Sequence, residues 1–254
     1  MSEKKIAVNT VVIAGGRPFM GHPCKAVLPF MGRPMIQYVV DALLASGVVG
    51  KIVVVGPVEP LSAALPDYPV EFPGDAGTML DNLALGLSHL PQDEMAAHCA
   101  ADSPLLTPAA IREIYTAGIE SGCEATYSFV EKNDMEREYP GCQRTYLRLK
   151  TGRMTGCNLG LIHPQAFVKA RPKLNLFIEN RKKPMKIARI IGLGLILRVL
   201  LGTLSPVFCE KKAQQILDVN LFAHQSRFPC TAQDIDRESD LPLMEGYARA
   251  QEES

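Results

Sequence analysis

The sequence has 254 residues, with 27 Lys and Arg against 27 Asp and Glu, a formal net charge of zero at neutral pH. A chain of this length can bury a full core, and balanced charge gives no general attraction to nucleic acid or to an acidic surface. Seven cysteines without a CxxC pair suggest neither a zinc site nor a disulfide framework, and suit a reducing, cytoplasmic setting. The opening MSEKKIAVNT has charges and no apolar run before the first strand, so no secretory signal is expected.

Val8–Ala14 is β-branched and almost wholly apolar, the pattern of a strand covered on both faces of a parallel sheet. It ends in Gly15-Gly16, and a glycine- and proline-rich loop with Arg17 and Lys25 leads to a short apolar stretch, Ala26–Phe30. Paired glycines let a backbone approach phosphate closely, and nearby cations neutralise it. The spacing is neither GxxxxGK[ST] nor GxGxxG, so ordinary P-loop and dinucleotide readings lose ground.

Pro34 suits the first position of a helix whose apolar face is Met35, Val39, Val40, Leu43 and Leu44. Gly47 and Gly50 close it, and Lys51–Gly56 is a second buried strand, giving the β-loop-α-β unit of doubly wound sheets. Glu59–Phe72 reads as a short helix and strand broken by prolines, and Pro73–Gly77 as a turn cluster. Thr78 opens a helix to about Leu90; Glu94–Ala101 is a weak strand leading into Asp102-Ser103-Pro104; Thr107-Pro108 starts another helix. Ala125–Val130 is a strand, and the charged, aperiodic Glu131–Gly141 reads as an exposed loop. Thr145–Leu149 and Asn158–His163 read as short strands flanking a turn at Thr151-Gly152. From Pro164 to about Leu217 the sequence is helix-compatible; Cys230–Ile235 reads as a last strand, followed by a polar helix.

These motifs together resemble the MobA-like NTP transferases, nucleotidyltransferases of glycosyltransferase-A-type fold. The resemblance rests on AGGR at Ala14–Arg17, Lys25-Ala26, Leu28-Pro29 and GRPMI at Gly32–Ile36, and it covers roughly Val8–Phe167 and Cys230–Leu241. It implies a three-layer α/β domain, a mostly parallel sheet with helices on both faces, here holding a helical insertion at about 164–228. It also implies that Ala14, Gly15, Gly16, Arg17 and Lys25 hold a nucleoside triphosphate, with Gly77, Thr78 and Asn82 at the base. Asp102, in a DxPLL-like element, would bind Mg²⁺, a cation that takes one or two carboxylates and completes its shell with phosphate and water. Asp236, in a segment similar to the family's closing DxDTPEDL, would be the second Mg²⁺ ligand; residues two apart share a strand face, so Asp234 also comes into reach. Asn158, after Gly156-Cys157, would face the acceptor. Met20 stands where members commonly have a second loop arginine, which leaves more of the charge neutralisation to Arg17.

The implied reaction transfers a nucleoside monophosphate to an acceptor phosphate or hydroxyl with release of pyrophosphate, with Lys25, Arg17 and Asp102 as the catalytic set. A glycosyltransferase of the same fold and a non-catalytic nucleotide-binding regulator are the alternatives. Lys182–Leu204 stands outside the resemblance: it is long and apolar enough to suggest a membrane span, yet Arg189 and Arg198 interrupt it on opposite faces at about 100° per residue. Burial against other helices is the first reading, with a homodimer interface or a peripheral lipid contact for the acceptor as the others.

Overall fold

The computed structural model describes residues 6–180 and 203–252, together with the single positions 186, 192, 194, 198 and 201. The middle of the sheet is β1 (Val8–Ile13), flanked in parallel by β4 (Val49–Val55) and β6 (Ala96–Ala100), with β5 (Val70–Gly74) outside β4. A small hairpin, β2 (Pro29–Phe30) and β3 (Arg33–Pro34), follows the glycine loop. Beyond β6 the order continues through β10 (Leu159–Ile162), β7 (Ala125–Glu131), β9 (Gly152–Gly156) and β8 (Leu147–Leu149). β11 (Leu221–Gln225) lies parallel to β7 and completes a nine-stranded sheet in which β9 and β10 run against the rest.

Alternation along the central strands builds two cores. Val12, Ile52 and Val54 face α1 (Met35–Ala45), α2 (Val58–Ala64) and α4 (Pro108–Glu120). Val11, Val53 and Val55 face α3 (Met79–Ser88) and Phe167 of α6 (Pro164–Asn180). Helices thus cover both faces, the expected three-layer α/β arrangement. α3 comes close because Gly86 has no side chain; a Cβ there would sit 2.3 Å from Val11 Cγ1. Thr78 and Thr107 cap α3 and α4 through their hydroxyls, as read.

Five sequence expectations are corrected. Pro34 caps α1 rather than opening it, since it still belongs to β3. Glu131–Gly141 contains a helix, α5 (Lys132–Glu138), whose single buried residue, Met135, leaves no apolar period to detect. Its charges pair along the helix, Lys132 with Glu136 at 2.8 Å and Arg137 with Asp134 at 2.7 Å. The strand β9 lies between the two expected ones, and β11 falls inside the stretch expected to be helical, its pairing set by β7 rather than by its own composition. Cys230–Ile235 forms no strand: Pro229–Ala232 is a 3₁₀ turn buried at every position, with no alternation.

The rest of 164–228 holds α6, α7 (Pro206–Leu217) and β11, and the chain ends in α8 (Asp240–Glu252). Most of Lys182–Leu204 lies outside the described residues. Among the described residues, no helix is long and apolar enough to cross a membrane.

Candidate active site

β1 ends at Ile13, and the chain turns out of the sheet through Ala14, Gly15 and Gly16 at the strand's C-terminal edge. Gly16 has φ of 145°, a conformation side-chain-bearing residues rarely adopt. The loop is folded by a bridge between Phe19 and His22, both backbone hydrogen bonds 2.9 Å, which puts Met20 at the tip with φ of 48°. Arg17 is exposed beside it. Lys25 begins a short 3₁₀ turn whose Ala26 is buried, so the backbone is anchored while the ammonium reaches back toward the sheet.

That ammonium joins residues 77 and 211 positions away: Lys25 Nζ donates to Asp102 Oδ2 at 3.3 Å and to Asp236 Oδ1. Asp102 sits just past β6, and Asp236 is brought to it by the backbone, since Ile235 N–H donates to the Asp102 carbonyl at 3.0 Å. Burial works against the Lys25 charge, but Asp236 and Asp102 outweigh it and hold its pKa above the ordinary value. Burial pushes the Asp102 carboxyl up; Lys25 pulls it down, and the net shift is upward. Asp234 does not share this cluster. Without a strand there, it turns to Arg144, with which it forms a largely buried ion pair. Burial raises its carboxyl to about 6 despite Arg144.

A cleft of about 400 Å³ opens between the glycine loop and the start of α3, lined by Gly15, Gly16, Gly77, Asn82, His98, Asp102 and Asn158. Asn82 is fully buried and organises its far wall: its Oδ1 accepts from Ala76 N at 2.6 Å and its Nδ2 donates to Asp75 Oδ1 at 3.0 Å. Asp75 Oδ1 also accepts from Gly77 N at 2.9 Å. Thr78 is exposed and tied to α3 through Asp81, which pairs with Arg171 of α6. Asn158 lines the cleft near Asp102, and its Nδ2 donates to the Gln233 carbonyl at 3.1 Å, which holds the C-terminal segment in place.

Two residues, His98 on the cleft wall and Arg144 beside Asp234, carried no sequence signal. His98, at alternate spacing in a weak strand, reads as a core residue; Arg144 lies in a stretch without periodicity. The cysteines near the site do not suit nucleophilic chemistry: burial pushes the Cys157 thiol up to about 12, and its Sγ lies 3.1 Å from Thr231 Oγ1.

Among the described residues no group of three or more His, Cys, Asp or Glu gathers as for a metal cage. Two carboxylates on one cation instead suit a hard divalent ion that takes its remaining oxygens from phosphate and water. The Lys25 ammonium lies between the two carboxylates.

Comparison with known proteins agrees with this geometry. Residues 10–187 match the MobA-like NTP transferase domain. A hypothetical transferase from Thermus thermophilus superposes with a TM-score of 0.83 and 34% identity, over 93% of this chain and 100% of that one. A CMP:2-keto-3-deoxy-manno-octonic acid synthetase solved with CTP shares the fold, with a TM-score of 0.61, 13% identity and coverage of 97% and 99%. A 3-deoxy-manno-octulosonate cytidylyltransferase from Synechococcus elongatus is 29% identical over 102 residues, 38% of this chain. The match spans 42% of that relative's length. With the glycine loop, the cleft beside it and Asp102 on the cleft wall all within the matched residues, the chain belongs to the MobA-like NTP transferase domain family.

Proposed function

We propose that the protein is a Mg²⁺-dependent nucleotidyltransferase that moves a nucleoside monophosphate from an NTP to a phosphate or hydroxyl acceptor. The observation behind this reading is the convergence of Lys25, Asp102 and Asp236 beside the Gly15-Gly16 turn. Asp102 and Asp236 would hold the ion, which supplies positive charge at the phosphate oxygens. An acceptor oxygen forms a bond to the α-phosphorus, the α–β bridging bond breaks, and pyrophosphate leaves with its electron pair. A hydroxyl acceptor also gives up its proton.

The chain's own part is electrostatic. The Gly15 and Gly16 amides and Arg17 meet the phosphates; Lys25 is released from the carboxylates to neutralise developing charge. Ala14, Gly77, Thr78 and Asn82 bound the nucleoside, and Asn158 stands where the cleft meets the acceptor. A cytosolic setting goes with this reading, because the seven cysteines are free.

A glycosyltransferase reading loses its support at Asp234-Ile235-Asp236, whose two carboxylates turn to different partners, Arg144 and Lys25. Calorimetry against the four NTPs with Mg²⁺, followed by pyrophosphate release with candidate acceptors, tests the proposal. NTP-dependent pyrophosphate release supports it. Tight NTP binding with no turnover across an acceptor panel would favour a regulator instead.

A further inference from the structure

A second cavity, of about 470 Å³, adjoins the first and shares Cys157 with it. Asp236 lines it as well as meeting Lys25, so it opens beside the carboxylate pair. Its walls are strongly charged, and the charges are unevenly committed. Asp234 is engaged by Arg144, and Asp236 by Lys25. Asp240 Oδ2 accepts from the backbone amides of Asp236 at 3.0 Å and Arg237 at 2.8 Å. Each carboxylate on the wall therefore already has a cation or N–H groups against it. Arg237 differs: among the described residues its guanidinium donates to a neutral group, Gln143 Oε1, at 2.5 Å. Arg144, with only 14% of its side chain exposed, has an Nε without a hydrogen-bond partner among the described residues, even though it spends Nη1 on Asp234. A buried donor left unpaired is costly and calls for an acceptor nearby.

Resting on the nucleotidyltransferase reading, we infer that this cavity receives the acceptor, and that the acceptor carries an oxyanion, a carboxylate or phosphate, bound by Arg237 with Arg144 behind it. Arginine suits both, because its planar fork matches two oxygens at once. Arg237 is the specificity-determining residue of the pair: it is exposed and, among the described residues, its guanidinium meets a neutral amide oxygen rather than a carboxylate. Arg144 is the positioning residue, since Asp234 fixes its guanidinium at the cavity wall.

The test uses the full chain and three small probes that share a carbon skeleton: glycerol, glycerate and glycerol 3-phosphate. Calorimetry first loads the protein with Mg²⁺ and an NTP analogue that cannot release pyrophosphate, which fills the triphosphate site, and then titrates each probe. The expected result is binding of at least one anion and none of glycerol, with the choice between glycerate and glycerol 3-phosphate naming the anion. Arg237→Gln should weaken that anion about 10- to 100-fold, the loss of one charge-assisted contact, while analogue binding stays within about twofold. Arg237→Lys should restore part of it, and Arg144→Lys reports on the second cation without removing the partner of Asp234. Glycerol bound as well as the anions, no anion bound, or equal binding by Arg237→Gln would each overturn the inference. Absence of analogue binding in the first step would instead overturn the nucleotidyltransferase reading, so the two failures are distinct.

Discussion

Gly15 and Asn82 meet so closely that a Cβ on Gly15 would stand 2.2 Å from Asn82 Nδ2. The glycine loop and the far wall of the cleft are therefore one packed unit, because the same Nδ2 holds Asp75 and the same side chain holds the Ala76 amide. Gly15→Ala should force Asn82 out and unfasten the 75–77 turn. Overpacking of this kind costs about 1–3 kcal/mol in stability. Nucleotide KM should rise more than kcat falls, and an unchanged KM for NTP would show that the contact is only structural.

At Lys25 and Asp102 the order reverses. Removing one preorganised electrostatic contact costs on the order of 10²–10³ in rate. Lys25→Ala and Asp102→Ala are each expected to lose that much kcat with the true acceptor. Pyrophosphate release at wild-type speed in either variant would remove both from the catalytic set.

Why these residues were readable and others were not follows from how each is positioned. The β1 strand, its glycine turn and the capped starts of α3 and α4 are local devices, written in apolar runs, Gly pairs and Thr-Pro steps, and they form where read. Asp102 and Asp236 were singled out through motif likeness alone, and their common contact with Lys25 required the fold. Arg144 had no local signal; it matters because a segment ninety positions later abandons strand geometry and turns Asp234 toward it. β11 was hidden for a similar reason, since its five residues are a strand only beside β7.

His98 yields a stability test. Its ring borders the cleft yet is packed deeply, and burial lowers its pKa from 6.5 to about 4. A depressed histidine means the unfolded chain binds the proton more readily, so the native state loses stability as pH falls from about 6.5 toward 4. The ring's access to the cleft tempers the effect, leaving about 2 kcal/mol over that window. Thermal unfolding from pH 7.5 to 4.5 should show a smaller drop in Tm for His98→Gln than for the wild type; parallel profiles would mean that His98 is not the titrating group.

Metal removal should separate function from fold. Without a divalent ion, the Asp102 and Asp236 carboxylates still have Lys25 between them, and Ile235 N–H still ties the C-terminal segment to Asp102. Among the described residues two carboxylates would meet the ion and no closed cage gathers, so a bound ion would contribute little to folding, unlike a structural zinc. On the proposed function the balance would change with NTP present, because the triphosphate would bring negative charge that Lys25 and Arg17 alone would not match. EDTA should therefore leave Tm of the free protein within about a degree, where one kcal/mol would move it by about 2–4 °C in a chain of this size. The same treatment should abolish pyrophosphate release and weaken NTP binding, with both restored by Mg²⁺. A large fall in Tm on chelation would place the metal in the fold rather than in the reaction.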